Sequence, residues 1–263
     1  MPSLDTPAQP ETNAMRPQRR IRIGTSGWTY AHWRGPFYPE RLRAAEWFRH
    51  YAERFDCCEI NGSFYRLPSE AAVSTWASTA PPGFLFAWKV SRYLTHAKKL
   101  LDPQPSLDLI FGRMRPVGAH AGPALFQLPP MLKRNDDRLL GLLERLPPDF
   151  RHAIEFRHPT WYAEPIYDML RAHQVAFCIS DHHDAPSPWI ETAPLIYLRA
   201  HGPGGHYHGA YSNETLEHWS ARLAHAARAG HEIHAYFDND IGAEAPRDAV
   251  RLRELLRLHQ APN

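Results

Sequence analysis

Three short stretches of the chain set acids, bases and an imidazole two residues apart. Residues 153–158 read AIEFRH, 197–202 read YLRAHG and 57–61 read CCEIN. Strand side chains alternate, so Glu155 shares a face with Arg157, Arg199 with His201, and Glu59 with Asn61. Charges crowded into a dry site shift their pKa values toward ranges useful for proton transfer. Glu59, Glu155 and Asp181 are therefore candidate acids and bases, with Lys89 and His201 as candidate proton carriers. Lys89, Arg157 and Arg199 suit a phosphate or carboxylate, because a guanidinium presents a planar fork and an ammonium a point charge. A plainer account competes with this one: each cation neutralises Glu59, Glu155 or Asp181 and nothing more. Both accounts can hold in one site.

A mixed nitrogen and oxygen ligand set is also present. Glu155, Asp181 and His201, with Asp238 or Asp240, have the chemistry to hold a divalent metal. His182, His183, His206 and His208 lie in neighbouring segments, SDHHDAP and HGPGGHYHG. None of these spacings is a ligand signature, the nearby Arg and Lys oppose a cation, and 17 His make accidental clusters common. A metal cofactor is not favoured on these grounds.

The elements that must position these groups form a repeating series. Apolar or β-branched runs occur at 21–26, 57–61, 84–90, 124–128, 152–157, 175–181, 195–201 and 232–238. Their spacing averages about thirty residues, as in an α/β fold of the TIM-type (β/α)8 barrel class. Helical patterns fill most gaps: 42–55 places Leu42, Trp47, Phe48, Tyr51 and Phe55 near one face, Ser69 and either Ser212 or Asn213 are N-caps, and Pro246 suits a first turn. Residues 182–194 contain three prolines, which predicts a loop for the sixth crossover. The long connection 91–123 has room for extra helical turns. In such a barrel the carboxyl ends of the strands form the ligand-binding face. Every run ends there in something polar: Ser26, Glu59 with Asn61, Lys89, Gln127, Glu155 with Arg157, Asp181, Arg199 with His201, and Asp238 with Asn239. Aromatic residues follow several runs, among them Trp28, Tyr65, Tyr93 and Trp161. Trp28 and Trp161 each flank a polar strand end and are expected as ligand walls, and His158 opens the segment that leads to Trp161.

The bulk composition is that of an ordinary globular chain, with 263 residues, 43% hydrophobic, 22% charged and a formal net charge of +2. No general basic field calls for a long nucleic-acid footprint. No apolar run approaches the roughly 18 residues of a membrane helix, so no membrane association is expected. Residues 1–20 are rich in Pro, Gln, Thr and Arg and read as a disordered leader, with a single domain over 21–260. The sparse cysteines 57, 58 and 178 lie in apolar runs, which suits a reducing cytoplasm.

Seven ordered motifs also carry a resemblance. IGTSGWTYAHWRGPFYP (23–39), FDCCEINGSFYRLP (55–68), FAWKVSRYLTH (86–96), LFQLPP (125–130), AIEFRHPTW (153–161), YLRAHG (197–202) and FDND (237–240) resemble the DUF72, or YecE-like, family. The resemblance implies a TIM-type barrel and no particular activity. It places Trp28, Glu59, Asn61, Tyr65, Lys89, His96, Gln127, Glu155, Arg157, Trp161, Asp181, Arg199, His201 and Asn239 at matching positions. Asp238 and Asp248 stand where the family usually has Asn, and SDHHDAP is richer in His than its pattern.

Together these residues predict an enzyme of hydrolytic or proton-transfer type. Its substrate would be anionic and ring-containing: a phosphorylated sugar, a nucleotide or nucleic acid. Glu59, Lys89, Glu155, Asp181 and His201 are its catalytic candidates. Trp28, Asn61, Tyr65, His96, Gln127, Arg157, His158, Trp161, Arg199 and Asn239 are its substrate-binding candidates. A non-catalytic binding barrel and a metal-dependent phosphodiesterase are the alternatives. The sequence names no protein partner.

Overall fold

The computed structural model describes residues 21–259, so the expected leader 1–20 and the end of the expected 21–260 domain lie outside the described residues. Eight parallel strands run in chain order: β1 (Ile21–Thr25), β2 (Cys57–Ile60), β3 (Leu85–Lys89), β4 (Ala121–Gln127), β5 (His152–Glu155), β6 (Ala176–Ser180), β7 (Leu195–Ala200) and β8 (Glu232–Phe237). Their hydrogen-bonded order is β1-β8-β7-β6-β5-β4-β3-β2. The two ends meet at a Ser26–Glu59 bridge, where the Gly27 N–H donates to the Glu59 carbonyl at 2.8 Å. This is the TIM-type barrel that the spacing predicted. Gly24 permits the closure, since a Cβ there would lie 2.3 Å from the Cys57 carbonyl oxygen. Gly122 does the same between β4 and β3, where a Cβ would lie 2.7 Å from the Ala87 nitrogen and the Phe86 oxygen.

The helices are α1 (Trp47–Ala52), α2 (Gly62–Tyr65), α3 (Glu70–Thr79), α4 (Gln104–Met114), α5 (Asp136–Leu143), α6 (Glu164–Ala172), α7 (Asn213–Arg228) and α8 (Glu244–Leu258). Ser69 caps α3, accepting from the Ala72 N–H at 3.1 Å, and Ser212 rather than Asn213 caps α7. The helix expected over 42–55 is shorter, a 3-10 turn followed by α1. Among the described residues no helix joins β6 to β7. Thr192 stabilises that loop instead, accepting from the Phe177 N–H at 2.8 Å and donating to the Val175 carbonyl at 2.6 Å. The long third crossover carries a π-helical turn, Tyr93–Ala97, before α4.

Two apolar layers hold the barrel. Outward-facing residues such as Phe86, Trp88, Phe126, Ile154 and Phe156 pack under the helices. The interior layer is made of small side chains, Cys57, Ala87, Ala153, Ala176 and Cys178, with Leu125 and Leu195. Tyr197 and Tyr236 fill the space these leave, their rings 5.3 Å apart. Each large buried side chain contributes roughly 1.5–3 kcal/mol. The Tyr197 hydroxyl donates upward to Glu59 Oε2 at 2.6 Å, so a packing residue is also the floor of the polar layer. All three cysteines are free and buried. Among the described residues no helix is long and apolar enough to cross a membrane.

Candidate functional site

Above the tyrosines the inward positions of the strands become polar, and most of them meet on Arg199. Its Nε donates to both oxygens of Glu59 at 3.1 Å. One terminal nitrogen reaches Glu155 Oε2 at 3.0 Å and His201 Nε2 at 2.9 Å. The other reaches Glu59 Oε1 at 2.9 Å, Asp238 Oδ2 at 2.7 Å and Ser26 Oγ at 3.2 Å. Every N–H of this guanidinium is used and the residue is 1% exposed, so it pins β1, β2, β5, β7 and β8 together.

Glu59 is equally committed, accepting from Ser26, Tyr197 and Arg199. Burial alone would raise its pKa, but Arg199 and the two hydroxyls hold it below the usual carboxylate value. Glu155 accepts from Arg157 Nε, from Arg199 and, at 3.3 Å, from Ser180. Here too burial is outweighed: Arg157, Arg199 and Lys89 hold the acid well below its ordinary range. A carboxylate held in this way remains ionised and is a weak base.

His201 has a defined tautomer. Its Nε2 faces N–H groups of both Arg199 and Arg157, which only donate, so Nε2 accepts. The ring proton then sits on Nδ1, 3.2 Å from Asp181 Oδ1. Asp181 also accepts the His201 backbone N–H at 2.6 Å and the Tyr211 hydroxyl. It orients His201 from the loop, while Ser180 takes the inward strand position.

The opposite wall is different. Lys89 ends β3, half-buried, with its ammonium 4.1 Å from the centre of the Phe64 ring. Among the described residues its ammonium makes no hydrogen bond or ion pair. Burial, then Arg199, lower its pKa to about 8, against the pull of Glu155, Glu59 and Asp238. His96 stands on the other side of Phe64, ring centres 5.0 Å apart, and bonds Thr95 Oγ1 at 2.9 Å. Burial, then Lys89, Arg92 and Arg157, push its imidazole down to about 4. Asn61 donates to Ser26 Oγ at 2.7 Å, and its own Oδ1 is buried without a partner. Gln127 ends β4 in register with Glu155. Tyr65 and Tyr93, which follow β2 and β3, are 70% and 60% exposed.

Several of the expected ligand residues are engaged within the protein. Trp161 is wholly buried, stacked on Phe156 at 4.7 Å and donating to the Leu132 carbonyl at 2.7 Å. Phe156 faces outward between two inward residues and draws the indole into the helix layer. Trp28 also packs in that layer, against Phe48 at 5.3 Å and Phe86 at 6.1 Å. His158 caps the turn Pro159–Trp161, accepting from the Thr160 N–H at 3.2 Å. Asn239 donates to the Gly209 carbonyl at 2.8 Å and to Asp248 at 2.9 Å. Asp248 also accepts the Tyr211 N–H at 3.0 Å and Arg251 at 2.6 Å, which gives this acid a structural use. Arg199 is a lock rather than an anion anchor. The expected metal ligands Glu155, His201 and Asp238 surround its guanidinium, which occupies the cation position.

Sequence reasoning passed over Ser180, Tyr197, Tyr207 and Tyr211. Ser180 and Tyr197 had a signal, because they share strand parity with Cys178 and Arg199. Tyr207, whose hydroxyl lies 3.5 Å from Arg157, and Tyr211 sit in a glycine-rich loop with no period to reveal them.

Comparison with known proteins agrees with this architecture. A family model described as protein of unknown function DUF72 matches residues 22–263. The UPF0759 protein YecE of Escherichia coli is 28% identical over 145 residues, 55% of this chain and 51% of YecE, so the match spans about half the length of that relative. The UPF0759 protein YunF of Bacillus subtilis is 23% identical over 90% of this chain and 94% of its own. The crystal structure of a DUF72 family protein from Thermotoga maritima superposes with a TM-score of 0.82 at 27% identity, covering 90% of this chain and 99% of that one. A DUF72 family protein from Enterococcus faecalis, 18% identical with a TM-score of 0.78 over 92% and 97%, shares the fold.

Proposed function

The chain belongs to the DUF72 family, which is defined by sequence and fold rather than by an activity, and we propose from its own residues that the barrel mouth binds an anionic, ring-containing substrate and performs proton-transfer or hydrolytic chemistry through Lys89. One observation carries this reading. Lys89 is the inward-facing cation without a carboxylate or hydrogen-bond partner among the described residues, while Arg199 on the facing wall is saturated. An ammonium over an aromatic face is an attractive partner for a phosphate or carboxylate. The cluster that depresses His96, namely Lys89, Arg92 and Arg157, gives the same quarter of the mouth a positive field. Tyr65 and Tyr93 supply exposed rings on which a base or sugar can lie.

Lys89 also has the better acid–base properties. With its pKa near 8, about a tenth of the amine is unprotonated at pH 7, so it can accept or deliver a proton. Glu59 and Glu155, the expected acid–base pair, instead fix the floor on which substrate rests. The buried, free cysteines fit a reducing cytoplasm as the setting.

Calorimetric titration with inorganic phosphate, ribose 5-phosphate and adenosine monophosphate tests the reading. The ring-bearing phosphates are expected to bind more tightly than phosphate alone, and Lys89→Met to weaken them about tenfold. Equal binding by parent and variant, or none by the parent, overturns it. Binding without turnover on any substrate of this class would place the protein among non-catalytic binding barrels.

A further inference from the structure

The histidine-rich loops beside the mouth are used by neither the Arg199 lock nor the Lys89 side. We propose that the loop after β6 holds a divalent transition-metal ion of the zinc class, with His182, His183 and Asp184 as ligands and His206 or water in the fourth position.

The argument rests on which atoms carry protons. His183 Nδ1 lies 3.0 Å from the Gly205 carbonyl oxygen. A carbonyl only accepts, so Nδ1 bears the hydrogen and Nε2 is left with a bare lone pair. That Nε2 points at Asp184 Oδ1, 3.3 Å away. His182 Nδ1 accepts the Asp184 N–H at 3.2 Å, so it too is unprotonated; 3.5 Å from Asp184 Oδ2, it would exchange that hydrogen bond for the ion. Two unprotonated imidazole nitrogens and a carboxylate thus converge, the Asp184 N–H being the hydrogen an ion would displace, and their ligand atoms all lie within 4.8 Å of one another. The separations suit a cation: donors about 2.0–2.2 Å from a tetrahedral zinc stand about 3.4 Å apart. The His183–Gly205 bond is the support commonly found behind a metal-bound histidine, fixing ring and tautomer through the other nitrogen. Two imidazoles with one carboxylate favour zinc, cobalt or nickel over magnesium or calcium.

The second loop is built against the first. Gly205 has φ +75°, and a Cβ there would lie 2.4 Å from both His183 N and Asp181 O. That contact brings His206 onto His183, ring centres 4.1 Å apart. His183, Asp184 and His206 are exposed, so a cation can enter from solvent. His182 is buried and meets the His201 ring at 5.1 Å, so the ion would clamp the loops after β6 and β7 beside the mouth. The proposal uses no part of the Lys89 reading and can fail without it.

The test uses the full chain, purified without a histidine tag, stripped with chelator and titrated with zinc chloride by calorimetry and cobalt chloride by visible absorption. One equivalent of zinc and tetrahedral cobalt bands are expected. His183→Ala and Asp184→Asn should each weaken zinc about tenfold or more, while His218→Ala, on the exposed face of α7, should not. Zinc should raise the Tm of the parent and not of the two variants, whose fold is checked by circular dichroism. Three results overturn the proposal: no saturable zinc binding, binding that survives both substitutions, or nitrogen NMR showing His183 doubly protonated at pH 7 with zinc in excess.

Discussion

Arg199 on β7 and Lys89 on β3 stand four strands apart, on facing walls of one polar layer, yet their surroundings have little in common. Arg199 bonds Glu59, Glu155, Asp238, Ser26 and His201, whereas the Lys89 ammonium lies over the face of Phe64 with no hydrogen-bond or ion-pair partner among the described residues. Both are cations at the end of a barrel strand, the position most suggestive of catalysis. The difference shows that position alone does not identify a reactive group. A side chain with every donor occupied has no capacity left for a ligand, and one with none occupied in a partly dry site does.

The contrast can be broken most directly at Arg199. Arg199→Met removes the cation shared by the buried Glu59, Glu155 and Asp238, and should destabilise the chain by about 3–5 kcal/mol in urea unfolding. Arg199→Lys should recover little, since an ammonium cannot fork to two acids. A loss under about 1 kcal/mol would remove the distinction between the two walls.

Acid should attack the same wall next. Glu155 and Glu59 have folded pKa values below their ordinary 4.5. As pH falls, the unfolded chain therefore binds protons first. Their contribution is full above about 4.5 and declines below it. Tm followed from pH 7 to pH 3 should drop over that lower range, and Glu155→Gln should flatten part of the decline.

Trp161 sharpens the comparison by testing a residue assigned to neither wall. Trp161→Phe deprives the buried Leu132 carbonyl of its donor, for about 1 kcal/mol, and should leave phosphate-ligand affinity unchanged. A tenfold affinity loss would return the indole to the mouth.

The stability of Lys89→Met should move the other way. The folded pKa of Lys89 is about 8 and its ordinary value 10.5. Holding the charged amine costs the folded state below pH 8, so the variant should be more stable at pH 7. The gap should close between pH 8 and 10.5, as the parent sheds the proton its unfolded chain still keeps.

Strand parity made much of this legible in advance. The pairs Glu155/Arg157 and Arg199/His201 do face inward, and the prolines of 182–194 do exclude a helix. Pairing of these cations with acids was legible as one account, but which acids each would meet was not. Nothing near residue 199 says that its guanidinium will meet acids from residues 59, 155 and 238, because closure of the barrel makes those contacts. The packing of the tryptophans was not legible for a related reason. A large aromatic just past a strand can turn either way, and Phe156 and Phe86 offered Trp161 and Trp28 more apolar contact outside than the mouth offered inside.

The seam beside Gly24 bears on how the chain is made. β1 shares five register pairs with β8 but meets β2 through the Ser26–Glu59 bridge. During synthesis the first strand leaves the ribosome long before its principal partner exists. Until residues 232–237 emerge, β1 is an open edge that β2 cannot cover, and contacts this distant in sequence form slowly. Among the described strands, the last to be translated is therefore the one that shelters the first.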